Sequence, residues 1–180
     1  MNLYEIKDLD KLLFHFQINP DYWIKSVSSL YDEVKNGDCI LVIEEGRLRS
    51  LVTGVVIKCF HTNSQGERYQ LVEDKQVFKD GQTRKRGHKF VAEKLRSGES
   101  PEQGALRGLV EELQISGPDV HVIPLFEENK CDIVDSPDYK GIQTCYNTYV
   151  FSCEILDSYY KNSYVEVQAD KQTYFSWAKI

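Results

Sequence analysis

Residues Glu93–Ile115 read EKLRSGESPEQGALRGLVEELQI, a stretch that sets a helix start, an apolar stripe and a group of carboxylates at fixed offsets. Ser100, followed by Pro101, Glu102 and Gln103, is a capping box: a hydroxyl N-cap, a proline at the first helical position, and a glutamine three residues on. The helix is therefore expected to begin at Pro101. Ala105, Leu106, Leu109, Val110 and Leu113 recur at three- and four-residue intervals, which predicts one buried stripe. Positions 108, 111 and 112 fall on a neighbouring face. Adjacent like charges at Glu111 and Glu112, with Glu102 and Glu99 one or more turns away, are poorly explained by helix stability alone. A hard divalent cation explains them, because magnesium takes oxygen ligands from a few carboxylates and completes its shell with water and substrate phosphates. A bare glutamate pair on an amphipathic helix is usually only a solvated face, so the weight rests on the whole constellation.

That constellation resembles a Nudix box. The family pattern is G, five residues, E, seven residues, R-E, an apolar residue, any residue, E-E, any residue, G, an apolar residue. Glu99 matches the isolated glutamate, Arg107 the arginine, Leu109 and Ile115 the apolar positions, and Glu111 and Glu112 the glutamate pair. Glu93 stands in place of the first glycine, Gly108 in place of the glutamate after the arginine, and Gln114 in place of the last glycine.

The rest of the chain agrees with one soluble domain carrying an extra segment. Its 180 residues suffice for a sizeable core. A net charge of −6 gives no reason to expect nucleic-acid or membrane binding through bulk electrostatics. Five cysteines, at 39, 59, 131, 145 and 153, form no C-x-x-C pair and sit mostly in apolar runs, which suggests buried thiols in a reducing, cytoplasmic compartment. The start MNLYEIKDLD lacks the basic and apolar segments of a signal peptide, and no apolar run is long enough to span a membrane.

Along the chain, Asn19-Pro20 is expected to start a helix whose buried stripe is Trp23, Ile24, Val27, Leu30, Tyr31 and Val34, ending at Asn36-Gly37. CILVIEE and LVTGVVIKCF read as strands joined through Glu45-Gly46-Arg47, and RYQLVEDKQVF as another strand between turns at 63–66 and 79–82. After the box helix, VHVIPLFEE, CYNTYVFSCEI and TYFSWAKI read as strands, with NKCDIVDSPDYKG as a long loop. The resemblance implies an α/β fold: a Nudix-type α/β/α sandwich with a mixed sheet over residues 46–180, plus an N-terminal helical extension at 1–45 packed on the core. The family commonly follows a strand such as YFSWAKI with a second flanking helix. This sequence stops at Ile180, so the helix at 20–35 is expected to cover the sheet surface instead.

Chemically, the resemblance implies hydrolysis of a nucleoside diphosphate linked to another moiety, with Mg2+ or Mn2+ as cofactor. It implies Glu111 and Glu112 as metal ligands, Glu99 as an outer ligand or a support through water, and the Ala92 carbonyl as a further ligand. Arg107 would orient a box carboxylate through a bidentate pair; the plain alternative is an ion pair with Glu111 one turn on. The expected catalytic set is thus Arg107, Glu111 and Glu112. Gly108 offers neither charge nor base, and a glycine there equally suits a neighbour that packs closely. A substitute carboxylate is sought at Glu93 or Glu154. Arg84, Arg86 and Lys89, in the basic run before the box, are the candidates for contact with substrate phosphates, although such runs are more often solvated. Histidine spacing gives no zinc site. Three functions remain open: a metal-dependent diphosphohydrolase, a catalytically impaired nucleotide-binding or regulatory module, and a protein-interaction role with a homodimer or partner surface.

Overall fold

The computed structural model describes residues 5–180. The chain folds as two compact units, each of which gathers segments distant in sequence. The α/β class expected from the sequence is the class the chain adopts, with a helical segment at the N-terminal side.

The first unit comprises the residues up to Gly54 together with 94–98 and 129–148. Helix α1 spans Ile6–His15 and helix α2 Val27–Asn36, with a short 3-10 turn at Pro20–Tyr22 between them. Strand β1, Ile40–Glu44, turns back into β2, which starts at Arg47, through Glu45 and Gly46. Both turn residues have positive φ, 52° and 73°, as a two-residue turn matching the strand twist requires. Leu9, Leu12, Leu13, Leu30, Leu41, Leu48 and Ile142 are buried together in this unit's core.

Three expectations change here. The helix predicted from Pro20 is only a single 3-10 turn, and the true helix restarts at Val27 with Ser26 as its cap, its hydroxyl accepting from the Ser29 N–H at 3.1 Å. The chain stays extended at Trp23, whose indole donates to the Lys140 carbonyl at 2.8 Å, while the Ile24 N–H donates to the Asp138 carbonyl at 3.1 Å. Those long-range bonds override the local helix signal, and Ile24, placed in the buried stripe, is 79% exposed. Helix α1 was unmarked by the usual Ser, Thr, Asp or Asn cap, because Glu5 takes that place and forms its capping box with Asp8. The segment read as one long loop contains strand β7, Lys130–Asp135, antiparallel to the first half of β8, which spans Gln143–Glu154. All six residues of β7 are exposed, so no alternation of burial marks it in the sequence.

The second unit comprises 55–93, 99–128 and 149–180. Its strands follow the order β6-β8-β2-β3-β10-β9, where β3 is Arg68–Phe78, β6 Ile123–Pro124, β9 Ser163–Val167 and β10 Lys171–Lys179. The two-residue β4, Thr83–Arg84, pairs with β3, and β5, Val91–Lys94, pairs with β2, which ends at Thr62. VHVIPLFEE supplies only the short β6 and a 3-10 turn at Phe126–Glu128. Strand β9 escaped the sequence reading because one of its two inward positions is Glu166, 8% exposed, where an apolar residue is expected.

Candidate active site

Helix α3, Pro101–Leu113, starts where its capping box places it. The Ser100 hydroxyl accepts from the Gln103 N–H at 3.2 Å, and the Gln103 side chain accepts from the Ser100 N–H at 2.9 Å. Ala105, Leu109 and Leu113 are buried as expected, but Val110 is 44% exposed and the stripe runs through Gly104 and Gly108 instead. The helix ends at Gln114, whose φ of 58° is left-handed, with the Ile115 N–H bonding back to the Leu109 carbonyl at 3.1 Å. This is the position of the pattern's last glycine, and the backbone conformation supplies the reason for that glycine.

Arg107 gathers three carboxylates. Its Nε and Nη2 donate to the two oxygens of Glu99 at 2.8 and 2.9 Å, the bidentate pair expected from sequence. Nη1 also reaches Glu111 at 2.9 Å and Glu93 at 3.2 Å, so the i,i+4 pair forms as well. The Arg107 and Glu99 side chains are each only 14% exposed. Glu99 foremost, with Glu93 and Glu111, holds the guanidinium above its ordinary pKa.

Glu112 turns to a different neighbour. Burial pushes its carboxyl up to about 8, and the adjacent charges of Glu166 and Glu93 add to the effect. Glu166 lies on β9 opposite Thr173 of β10. Sequence reading missed Glu166; the signal was a carboxylate at an inward position of SYVEV, a place that burial normally denies to an unpaired charge.

Gly108 is packed. A Cβ there would lie 3.2 Å from the Cβ of Glu93 and 3.3 Å from Ile57 Cδ1, so side chains of β5 and β2 occupy the space. Ala92 sits beside Glu93 on β5 with its side chain exposed. Glu154 accepts from the Thr62 hydroxyl at 2.8 Å and from Arg68 at 3.5 Å. Arg84 and Arg86 are turned to β3: Arg84 donates twice to the side-chain Oε1 of Gln76, at 3.1 and 2.7 Å, and Arg86 binds Glu73, 3% exposed, in a two-pronged pair. Lys89 is exposed, and its carbonyl accepts from Gln70 at 3.0 Å.

The donor set around α3 is carboxylate throughout, which suits a hard cation of the Mg2+ or Mn2+ type. Glu112 adds a second point of fit, since a half-buried acid pushed toward its neutral form by desolvation and like charges is one that a cation returns to the carboxylate. Among the described residues no three His, Cys, Asp or Glu groups are already gathered as a ligand set, because Glu93, Glu99 and Glu111 are turned onto Arg107. Among the same residues no helix is long and apolar enough to cross a membrane.

No curated protein sequence matches the chain. Among solved structures, an Ap4A hydrolase from C. elegans in a binary complex aligns at 13% identity and TM-score 0.43, over 71% of this chain and 80% of its own. The Nudix hydrolase RenU from M. smegmatis aligns at 16% identity and TM-score 0.40, over 77% and 78% respectively. The NUDIX domain family matches residues 52–156, a span that runs from β2 through the capped, glutamate-bearing helix to the end of β8, and the chain belongs to that family.

Proposed function

We propose that this chain hydrolyses the diphosphate linkage of a nucleoside diphosphate derivative, using Mg2+ or Mn2+ held by the carboxylates of α3 and its neighbours. What supports this reading is the family match over residues 52–156 together with the convergence of Glu93, Glu99 and Glu111 in one place, where Arg107 now neutralises them, with Glu112 facing Glu166 beside them. Glu99, Glu111, Glu112 and the Ala92 carbonyl are the groups that would hold the ion. When bound, the cation supplies charge neutralisation at the diphosphate and lowers the pKa of attacking water. Arg107 fixes the rotamer of Glu99 through the fork and restrains Glu93 and Glu111. Glu112, whose carboxyl is held toward its neutral form while no cation is bound, would ionise as the ion binds and serve as one of its ligands. Arg84, Arg86 and Lys89 are the cations assigned to phosphate contact; Lys89 is the one whose side chain is exposed without a role on β3.

A second reading, a nucleotide-binding module without turnover, is favoured by Gly108, which removes the carboxylate the family pattern has at that point. A panel of nucleoside diphosphate derivatives with Mg2+ and Mn2+ separates the two. Turnover that disappears in Glu112→Gln supports hydrolysis; no turnover, with a raised melting temperature in the presence of one of the compounds, supports the binding module.

A further inference from the structure

The chain departs from the box pattern at two positions that meet in space. Glu93 stands where the pattern has glycine, and Gly108 where it has glutamate. A Cβ on Gly108 would lie 3.2 Å from the Cβ of Glu93 and 3.7 Å from its Cγ, so the stem of Glu93 already fills the exit a side chain at 108 would use. The carboxylate beyond that stem reaches Arg107, the residue next to Gly108, at 3.2 Å, and its side chain is 22% exposed. A glycine inside a helix is disfavoured, and it is retained where a neighbour needs the room. Close packing alone would be met by an apolar neighbour. Here one neighbour, Ile57, is apolar, and the other, Glu93, which lies nearer, carries a carboxylate.

We infer that the two departures are one exchange: Glu93, reaching across from β5, supplies to the face of α3 the carboxylate that Gly108 withdrew, and it takes part in holding the divalent cation. This rests on the metal-dependent reading above. It predicts that positions 93 and 108 are interchangeable as a pair and not singly.

The test titrates Mn2+ by electron paramagnetic resonance and records thermal unfolding for the full chain and its variants. Glu93→Gln keeps the stem and removes the charge, and it should weaken Mn2+ binding roughly tenfold or more. Glu102→Gln removes one exposed charge from the same helix and should change binding by less than about twofold. G108E alone should lower the melting temperature, because its side chain meets Glu93 and Ile57. The double variant E93G/G108E should regain the Mn2+ affinity and melt above G108E, with Ile57 still in place, a coupling that independent sites do not show. Glu93→Gln binding Mn2+ as Glu102→Gln does would overturn the exchange while leaving the proposed reaction in place. So would a double variant that melts no higher than G108E. A wild-type chain that binds no Mn2+ at millimolar concentration would overturn both the proposed reaction and this inference.

Discussion

Replacing Arg107 by methionine keeps an unbranched stem and removes the cation on which Glu93, Glu99 and Glu111 converge. The cost depends on how much water reaches each carboxylate. Glu99 is 14% exposed and loses both arms of its fork, Glu93 is 22% exposed, and Glu111, at 41%, can turn to solvent. Breaking a fully buried pair costs about 3–5 kcal/mol, and a surface pair contributes about 0–1 kcal/mol. One nearly buried pair and two wetter ones place Arg107→Met near the lower end of the buried range, about 3 kcal/mol at neutral pH. For a chain of this length that is a fall of about 6–12 °C in melting temperature. Arg107→Lys should lose about 1–2 kcal/mol, since an ammonium cannot reproduce the fork on Glu99. The assay is thermal unfolding of wild type, both single variants and R107M/E99Q. If the penalty is a stranded carboxylate, the double variant recovers much of it. A loss under about 1 kcal/mol in Arg107→Met, unchanged by E99Q, would refute the reasoning, because the carboxylates would then be relaxing freely into water.

Glu112 gives a pH prediction. Its folded-state pKa of about 8 lies above the ordinary 4.5, so the folded chain binds the extra proton between those values. The stability this group contributes is full below about pH 4.5 and is lost as pH rises through 8; Glu112→Gln should flatten that part of a melting-temperature profile and melt higher than wild type at pH 8. Gln114 holds a left-handed φ of 58°, so Gln114→Gly should raise stability by about 1 kcal/mol in urea unfolding; a fall would mean that the glutamine makes a compensating contact. Cys131 and Cys145, the two cysteines that are not buried, have sulfurs 3.2 Å apart across the β7–β8 ladder. Hydrogen peroxide should oxidise the two thiols to one disulfide, itself reduced to water, with the intact mass falling by two hydrogens; Cys145→Ser should abolish the loss.

What the sequence disclosed was local. The start of α3 is written in four consecutive residues, Ser100 to Gln103, in which Ser100 and Gln103 satisfy one another through side chain and backbone. The pair of Arg107 with Glu111 was legible for the same reason, being one turn apart on one helix, whereas the choice of Glu99, which precedes the helix, for the fork was not. Asn19-Pro20 carried an equally good local signal, yet distant carbonyls at 138 and 140 claimed the N–H groups of Trp23 and Ile24 and held the chain extended. Glu166 was hidden because its meaning depends on β9 lying beside α3, a pairing no local pattern encodes. Gly108 was legible as a departure, whereas its partner in space, fifteen positions earlier at Glu93, required the fold.

The proposed reaction is metal-dependent hydrolysis at the carboxylates of α3. Its most direct test is incubation of the wild-type chain with nucleoside diphosphate derivatives and Mg2+ or Mn2+ in oxygen-18 water, read by phosphorus NMR. The expected result is cleavage that needs the cation, places labelled oxygen on one phosphate product, and is lost in Glu112→Gln. Intact substrates throughout the panel, under conditions where the chain is folded and Mn2+ is bound, would contradict it.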